Sequence, residues 1–142
     1  MSFVYKITSV SKLLHQIDSL KKKKDIIEAL HSNGNIYIKK ILNGMFNPSV
    51  KFLLPEGSPP YKPNKFDEPK ALLNELNRFY LFVEGGNDAL KPLRREQIFI
   101  SILENINADD AELIIAMKDK KNPFKNINLA IIKEAFPEMF GL

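Results

Sequence analysis

Lys118, Lys120, Lys121 and Lys125 crowd the connection between two apolar-periodic runs, the first ending at Met117 and the second carrying Ile127, Ile131, Ile132 and Phe136. Lysines beside the start of a helix can neutralise a phosphate, while the free N–H groups of that helix start point at it. Asn126 or Asn128 is the expected cap of the second helix, and Pro123 forbids a continuous helix across the connection. The bland reading is a solvated turn kept soluble by its charge. Two further basic clusters invite the same question. Lys21 to Lys24 form an unbroken run containing Lys22 and Lys23, and Lys91, Arg94 and Arg95 lie near a helix start. Basic side chains there oppose the helix macrodipole, a small cost that a bound anion would relieve.

Catalytic chemistry is not visible. His15 and His31 lack metal-ligand spacing to each other or to a carboxylate pair, so no metal site is expected. Gly85-Gly86 leads into neither a phosphate-loop lysine nor a βα pattern, and Ser101 has no nucleophile-elbow glycines. Asp109, Asp110 and Glu112 read as helix-start acids. The chain is therefore expected to be non-enzymatic and to need no cofactor.

The elements that would position these residues are helical. The chain has 142 residues, 44% hydrophobic and 27% charged, which suits one globular domain spanning 1–142 with its own core. A net charge of +4 permits an acidic or nucleic-acid partner without requiring one. There is no cysteine, which excludes disulfides and thiolate chemistry. No apolar run is long enough for a membrane span, and MSFVYKITSV lacks the apolar core of an export signal, so a cytoplasmic, membrane-free protein is expected.

Helices are predicted from Ser9 or Ser11 through Ile17, from the lysine run to Ser32-Asn33-Gly34, and over about Asn35 to Met45. Others are predicted from Pro69 through Phe82, over about Lys91 to Asn105, and from Asp109 or Asp110 through Met117. The last, capped at Asn126 or Asn128, ends at Pro137. Between positions 47 and 68, Pro48, Pro55, Pro59, Pro60 and Pro63 impose a long loop containing a short extended piece, Val50 to Leu54. Tyr61 and Phe66 are expected to pin this loop to the body. The fold class is all-α: a compact single-domain bundle of six or seven helices with a long Pro-rich loop.

Three stretches carry a resemblance. IDSLKKKKDIIEALHSNGNIYIKKIL, LLNELNRFYLFVEGG and ADDAELIIAMKDKKNPFKNINLAIIKEAFPEMFG together resemble the amino-terminal DNA-binding domain of phage-type ATP-dependent DNA ligases. The third is the most specific, with Asp109-Asp110, Met117-Lys118-Asp119 and Phe136-Pro137 in the order of that domain's closing hairpin. The similarity spans about residues 10 to 142 and suggests a small stand-alone phage protein related to that domain.

The resemblance implies an all-α module that grips duplex DNA by its backbone. Lys118, Lys120, Lys121, Lys125 and the Asn126 helix start would be the main contacts, joined by Lys22, Lys23, Arg94 and Arg95. The implied partner is double-stranded or nicked DNA, with a phage or host replication or repair protein as a further partner. The role would be non-catalytic: replication, repair, or protection of ends and nicks in the host cytoplasm. Two departures stand out. Pro123-Phe124 replace the glycine-containing turn of the ligases, and the Lys-x-Asp-Gly signature of their nucleotidyltransferase domain is absent, so nick sealing by that mechanism is not expected. The alternative is a protein-interaction or virion component that keeps the helical fold without binding DNA, a reading favoured by the 17 acidic residues intermixed with 21 basic ones.

Overall fold

The computed structural model describes residues 8–140. Most of MSFVYKITSV, on which the expectation of no export signal rested, lies outside them. Seven α-helices are present among the described residues: α1 Val10–Asp18, α2 Lys23–Asn33, α3 Ile36–Phe46, α4 Ala71–Glu75, α5 Pro92–Asn105, α6 Ala108–Lys118 and α7 Leu129–Ala135. Two 3-10 segments, Leu76–Phe82 and Pro137–Phe140, complete the order. The fold is an all-α bundle. None of these helices is long and apolar enough to cross a membrane.

Caps set the helix starts. Ser9 accepts the Lys12 N–H at α1, Asn35 accepts the Tyr37 and Ile38 N–H groups at α3, and Asn128 accepts the Ile131 N–H at α7. Pro92 occupies the first turn of α5, where its missing N–H removes no helix bond. α6 begins at Ala108 with Asn107 in the cap position, slightly ahead of the Asp109 or Asp110 start that the sequence suggested. The Asn107 side chain is instead turned to the loop: its Oδ1 accepts the Glu68 N–H and its Nδ2 donates to Asp67.

α6 is central, with α1, α3 and α5 packed on it, while α2 packs on α7. Accordingly α6 buries Ala111, Leu113, Ile114 and Met117 around much of its circumference, as a helix covered on several sides must. Ile26, Leu30, Ile41, Leu42, Ile102, Leu103 and Ile132 are fully covered. Burying each such side chain stabilises the fold by about 2–3 kcal/mol before entropy is counted. Gly44 lets α3 approach α6 closely, since a Cβ there would lie 2.8 Å from Met117 Sδ.

The long helix expected from Pro69 through Phe82 does not form as one piece. α4 is a single short turn, and the chain tightens into the 3-10 segment from Leu76 onward. The carbonyls at its end are taken by partners outside it: Leu81 O by Arg95 Nε at 3.0 Å and Phe82 O by the Leu53 N–H at 2.7 Å. The second of these sits beside an antiparallel bridge between Phe52 and Val83, so the expected extended piece finds its pairing there.

The Pro-rich loop is held along its length. Lys62 N–H donates to Glu104 at 2.7 Å, Asn64 reaches the Asn105 carbonyl, and Gly57 N–H donates to Asp119 at 3.1 Å. Tyr61 is half-buried and does pin the loop, but Phe66 is 73% exposed and does not.

Candidate nucleic-acid interface

The α6–α7 connection is where the sequence gathers its lysines, and local geometry separates them. α6 ends in a left-handed cap: Lys121 N–H donates to Ala116 O and Lys120 N–H to Met117 O, with Lys120 itself at φ 57°. Glycine is the usual residue there, since a side chain in this conformation costs about 1–2 kcal/mol. The Lys120 side chain supplies a reason for its presence. Its ammonium donates to the carbonyls of Gly44 and Asn47, at the carboxyl end of α3, where a cation suits the helix dipole. Burial lowers its pKa.

Lys118 is more deeply committed. Its side chain is 1% exposed, and its ammonium donates to Pro55 O at 2.8 Å, Gly57 O at 2.9 Å and the Asp119 carboxylate. Lys118 cannot meet a phosphate while making these bonds, which corrects the expectation for it, whereas Lys120 stays exposed with two of its three donors spent on α3-end carbonyls. Lys121 stays in solvent, paired loosely with Glu56 at 3.7 Å.

Asn126 departs from its expected role in an instructive way. The cap of α7 is Asn128, and the N–H groups of Lys125, Asn126 and Ile127 converge on the Asp18 carboxylate at 3.0, 2.7 and 2.8 Å. The Asn126 side chain adds a bond to the Asp18 carbonyl at 2.8 Å. Successive backbone N–H groups arranged this way form an anion nest. Here the chain's own carboxylate fills it. Burial pushes the Asp18 pKa upward, but the three N–H donors, aided by the His15 charge, outweigh that and hold it below the ordinary value. The sequence carried one overlooked signal for this: an acid in the last position of α1, where the dipole opposes it unless other donors receive it.

Arg95, at the start of α5, is also structural. It is 4% exposed, with Nε donating to Leu81 O and Nη2 to Asn87 O and Leu90 O. The expectation of a DNA contact at Arg95 is corrected by this burial, which leaves the neighbouring Arg94 alone in solvent. His31 Nε2 donates to Ala135 O at the end of α7 at 2.7 Å, whereas His15 Nδ1 turns back on its own helix to donate to Ser11 O at 2.8 Å. Among the described residues no group of three His, Asp or Glu side chains is placed to hold a metal.

What the fold does bring together is the lysine run and Lys125. Asp18 ends α1, and Lys21 to Lys24 follow it directly; the Asp18 carboxylate grips the backbone at Lys125. Lys21, Lys22, Lys23, Lys24 and Lys125 are all exposed, and Lys23 pairs with Glu134 of α7 at 2.6 Å. Lys21 adopts φ 68°, which reverses the chain between α1 and α2. The Asp18 tie therefore brings the backbone at Lys125 close to the end of α1 that the lysine run follows, with Glu28 and Glu134 lying beside Lys23 and Lys24.

Residues 13–123 match the DUF6433 family, a family of unknown function. The chain belongs to it. The matched DUF6433 span includes the lysine run, Arg94, Arg95, Lys118, Lys120 and Lys121, and stops short of Lys125 and Asn126. No curated protein and no solved structure matches the chain.

Proposed function

We propose that the protein is a non-catalytic double-stranded DNA-binding accessory that holds the phosphate backbone with Lys21, Lys22, Lys24 and Lys125. The supporting observation is the Asp18 tie, which holds the Lys125 backbone close to the segment that leads into the exposed lysine run. Backbone contact needs charge and position rather than base-reading side chains, and this region offers the first without the second. The resemblance to phage-type ligase DNA-binding domains supports a setting in phage replication, repair or protection of ends and nicks, in the host cytoplasm. It supports duplex DNA over other polyanions. The nest itself takes no part, because Asp18 occupies it.

The test is fluorescence anisotropy with labelled nicked, intact and single-stranded DNA over a salt series. With four phosphates neutralised, the slope of log affinity against log salt should be about −3.5, and dissociation constants near physiological salt should fall around 10–100 μM. A Lys21→Glu, Lys22→Glu, Lys125→Glu variant should lose at least tenfold in duplex affinity while keeping the wild-type melting curve. Saturable duplex binding that this variant leaves unchanged would remove the assignment. If even the wild-type protein shows no saturable duplex binding at low salt, the protein-interaction reading takes its place. The apolar groove between Pro55–Pro60 and α5, where Leu93 is 67% exposed, is then the surface to examine.

A further inference from the structure

The bridge between Phe52 and Val83 draws the extended piece against the end of the 3-10 segment and opens a cleft toward α3. This cleft encloses about 350 Å³, within the ordinary range for small-ligand sites. Phe52, Phe79 and Tyr80 line it with Lys40, Asn43 and Asn77. Tyr80 is 56% exposed, whereas the neighbouring Phe82 is 1% exposed and packed edge-on to Phe99. Tyr80 is thus not a core aromatic. Asn43 Oδ1 accepts from Asn47, which leaves the Asn43 amide N–H groups to donate elsewhere.

A second cleft, of about 550 Å³, adjoins the first through Val50 and Phe52 and is lined by Phe46, Lys51 and Lys120. The Lys120 ammonium already lies 5.3 Å from the Phe52 ring centroid, so cation and aromatic are interleaved at the junction. No acidic residue lines either cleft, although the chain holds 17 acids against 21 basic residues. The groove beside the Pro-rich loop, by contrast, has Glu56 and Glu96 in its walls. Glu84, next in the chain to Val83, lines neither cleft.

We propose that these two clefts together seat one unpaired nucleobase of a single strand and the phosphates flanking it. The base stacks on Tyr80 and Phe79, Asn43 and Asn77 meet its edge, and Lys40 and Lys51 receive the backbone. An exposed aromatic, Tyr80, flanked by the half-buried Phe79 and Phe52 and by lysines with no carboxylate in the lining, suits single-strand binding, and stacking tolerates any base because each has a π-face. The site uses none of Lys21, Lys22, Lys24 or Lys125, so it stands or falls separately from the duplex-binding face.

The experiment compares two labelled single strands of equal length and charge, one of deoxyadenosine and one of abasic sites, by anisotropy with the intact chain. Stacking of a single base predicts that the adenine strand binds roughly 5–100-fold more tightly. Tyr80→Ala should abolish that preference, and Tyr80→Phe, which keeps the ring, should restore it. Lys40→Glu with Lys51→Glu should weaken both strands alike. The Lys21→Glu, Lys22→Glu, Lys125→Glu variant should retain the adenine preference even where duplex binding is lost. Equal binding of the two strands, or a preference that survives Tyr80→Ala, would overturn the proposal. Because Tyr80 is largely in solvent, its truncation leaves the core intact and the result interpretable.

Discussion

Asp18 and Asn126 hold each other twice across 108 residues: the Asn126 N–H donates to the Asp18 carboxylate at 2.7 Å, and its side-chain amide to the Asp18 carbonyl at 2.8 Å. With Lys125 and Ile127 also donating, the carboxylate locks the end of α1 to the chain entering α7. Asp18→Ala would leave three converging N–H groups without their acceptor, and a loss of about 3 kcal/mol is expected. Thermal denaturation should show a fall of roughly 10 °C. The sign with pH follows from the lowered pKa: the contribution is full above the unfolded value near 3.8 and lost as pH falls through the folded one. Wild type should therefore lose stability below pH 4 more steeply than Asp18→Ala does.

Asp110 works in the opposite sense. Its carboxylate is fully buried, accepts the Ser11 N–H at 2.8 Å through Oδ1, and has no partner for Oδ2 among the described residues. Burial, with the nearby Asp109 charge adding, pushes its pKa up to about 6, against the pull of the Ser11 and Val10 N–H groups and Lys12. A raised folded pKa means that stability is greatest below 3.8 and declines as pH rises through 6, by on the order of 3 kcal/mol. Asp110→Asn keeps an acceptor for Ser11 and cannot ionise. Urea titrations between pH 4 and 7 should show this decline in wild type and its absence in the variant.

The adjacent arginines of α5 should respond very differently to truncation. Arg95→Ala leaves the carbonyls of Leu81, Asn87 and Leu90 without their shared donor and should cost about 3 kcal/mol. Arg94→Ala, on the exposed side, should stay within about 0.5 kcal/mol of wild type. Denaturant midpoints of the two variants check both values at once.

Lys118→Met should free the Pro-rich loop without unfolding the bundle. The ammonium is the shared donor for Pro55 and Gly57, whose remaining tie is the Gly57 N–H to Asp119. Hydrogen exchange followed by mass spectrometry should show faster exchange in the peptide around 54–62, with α1 to α3 unchanged. Duplex binding by Lys118→Met should equal wild type.

The helical body is legible because apolar spacing and caps agree locally: Leu14 with Ile17, Ile38 with Ile41 and Leu42, and Ser9 and Asn128 as caps. The stretch after Pro69 was misread because its fate is decided elsewhere, by Arg95 and Leu53 drawing on the carbonyls of Leu81 and Phe82. The basic residues were the least legible of all. Sequence gives the charge of Lys118, Lys120 and Arg95 but not the orphan carbonyls that claim them, since those belong to segments as much as 76 residues away. The only local trace of the nest was an acid at the wrong end of a helix.

The family match ends at residue 123, but the interior does not. Phe124, Ile127, Ile131, Ile132, Ala135 and Phe136 are all buried, and α7 is what covers α2. A clone trimmed to the matched span would lack its closing lid and would turn an oily surface outward, inviting precipitation during expression. The smallest piece worth producing is therefore longer than the piece that family membership reveals.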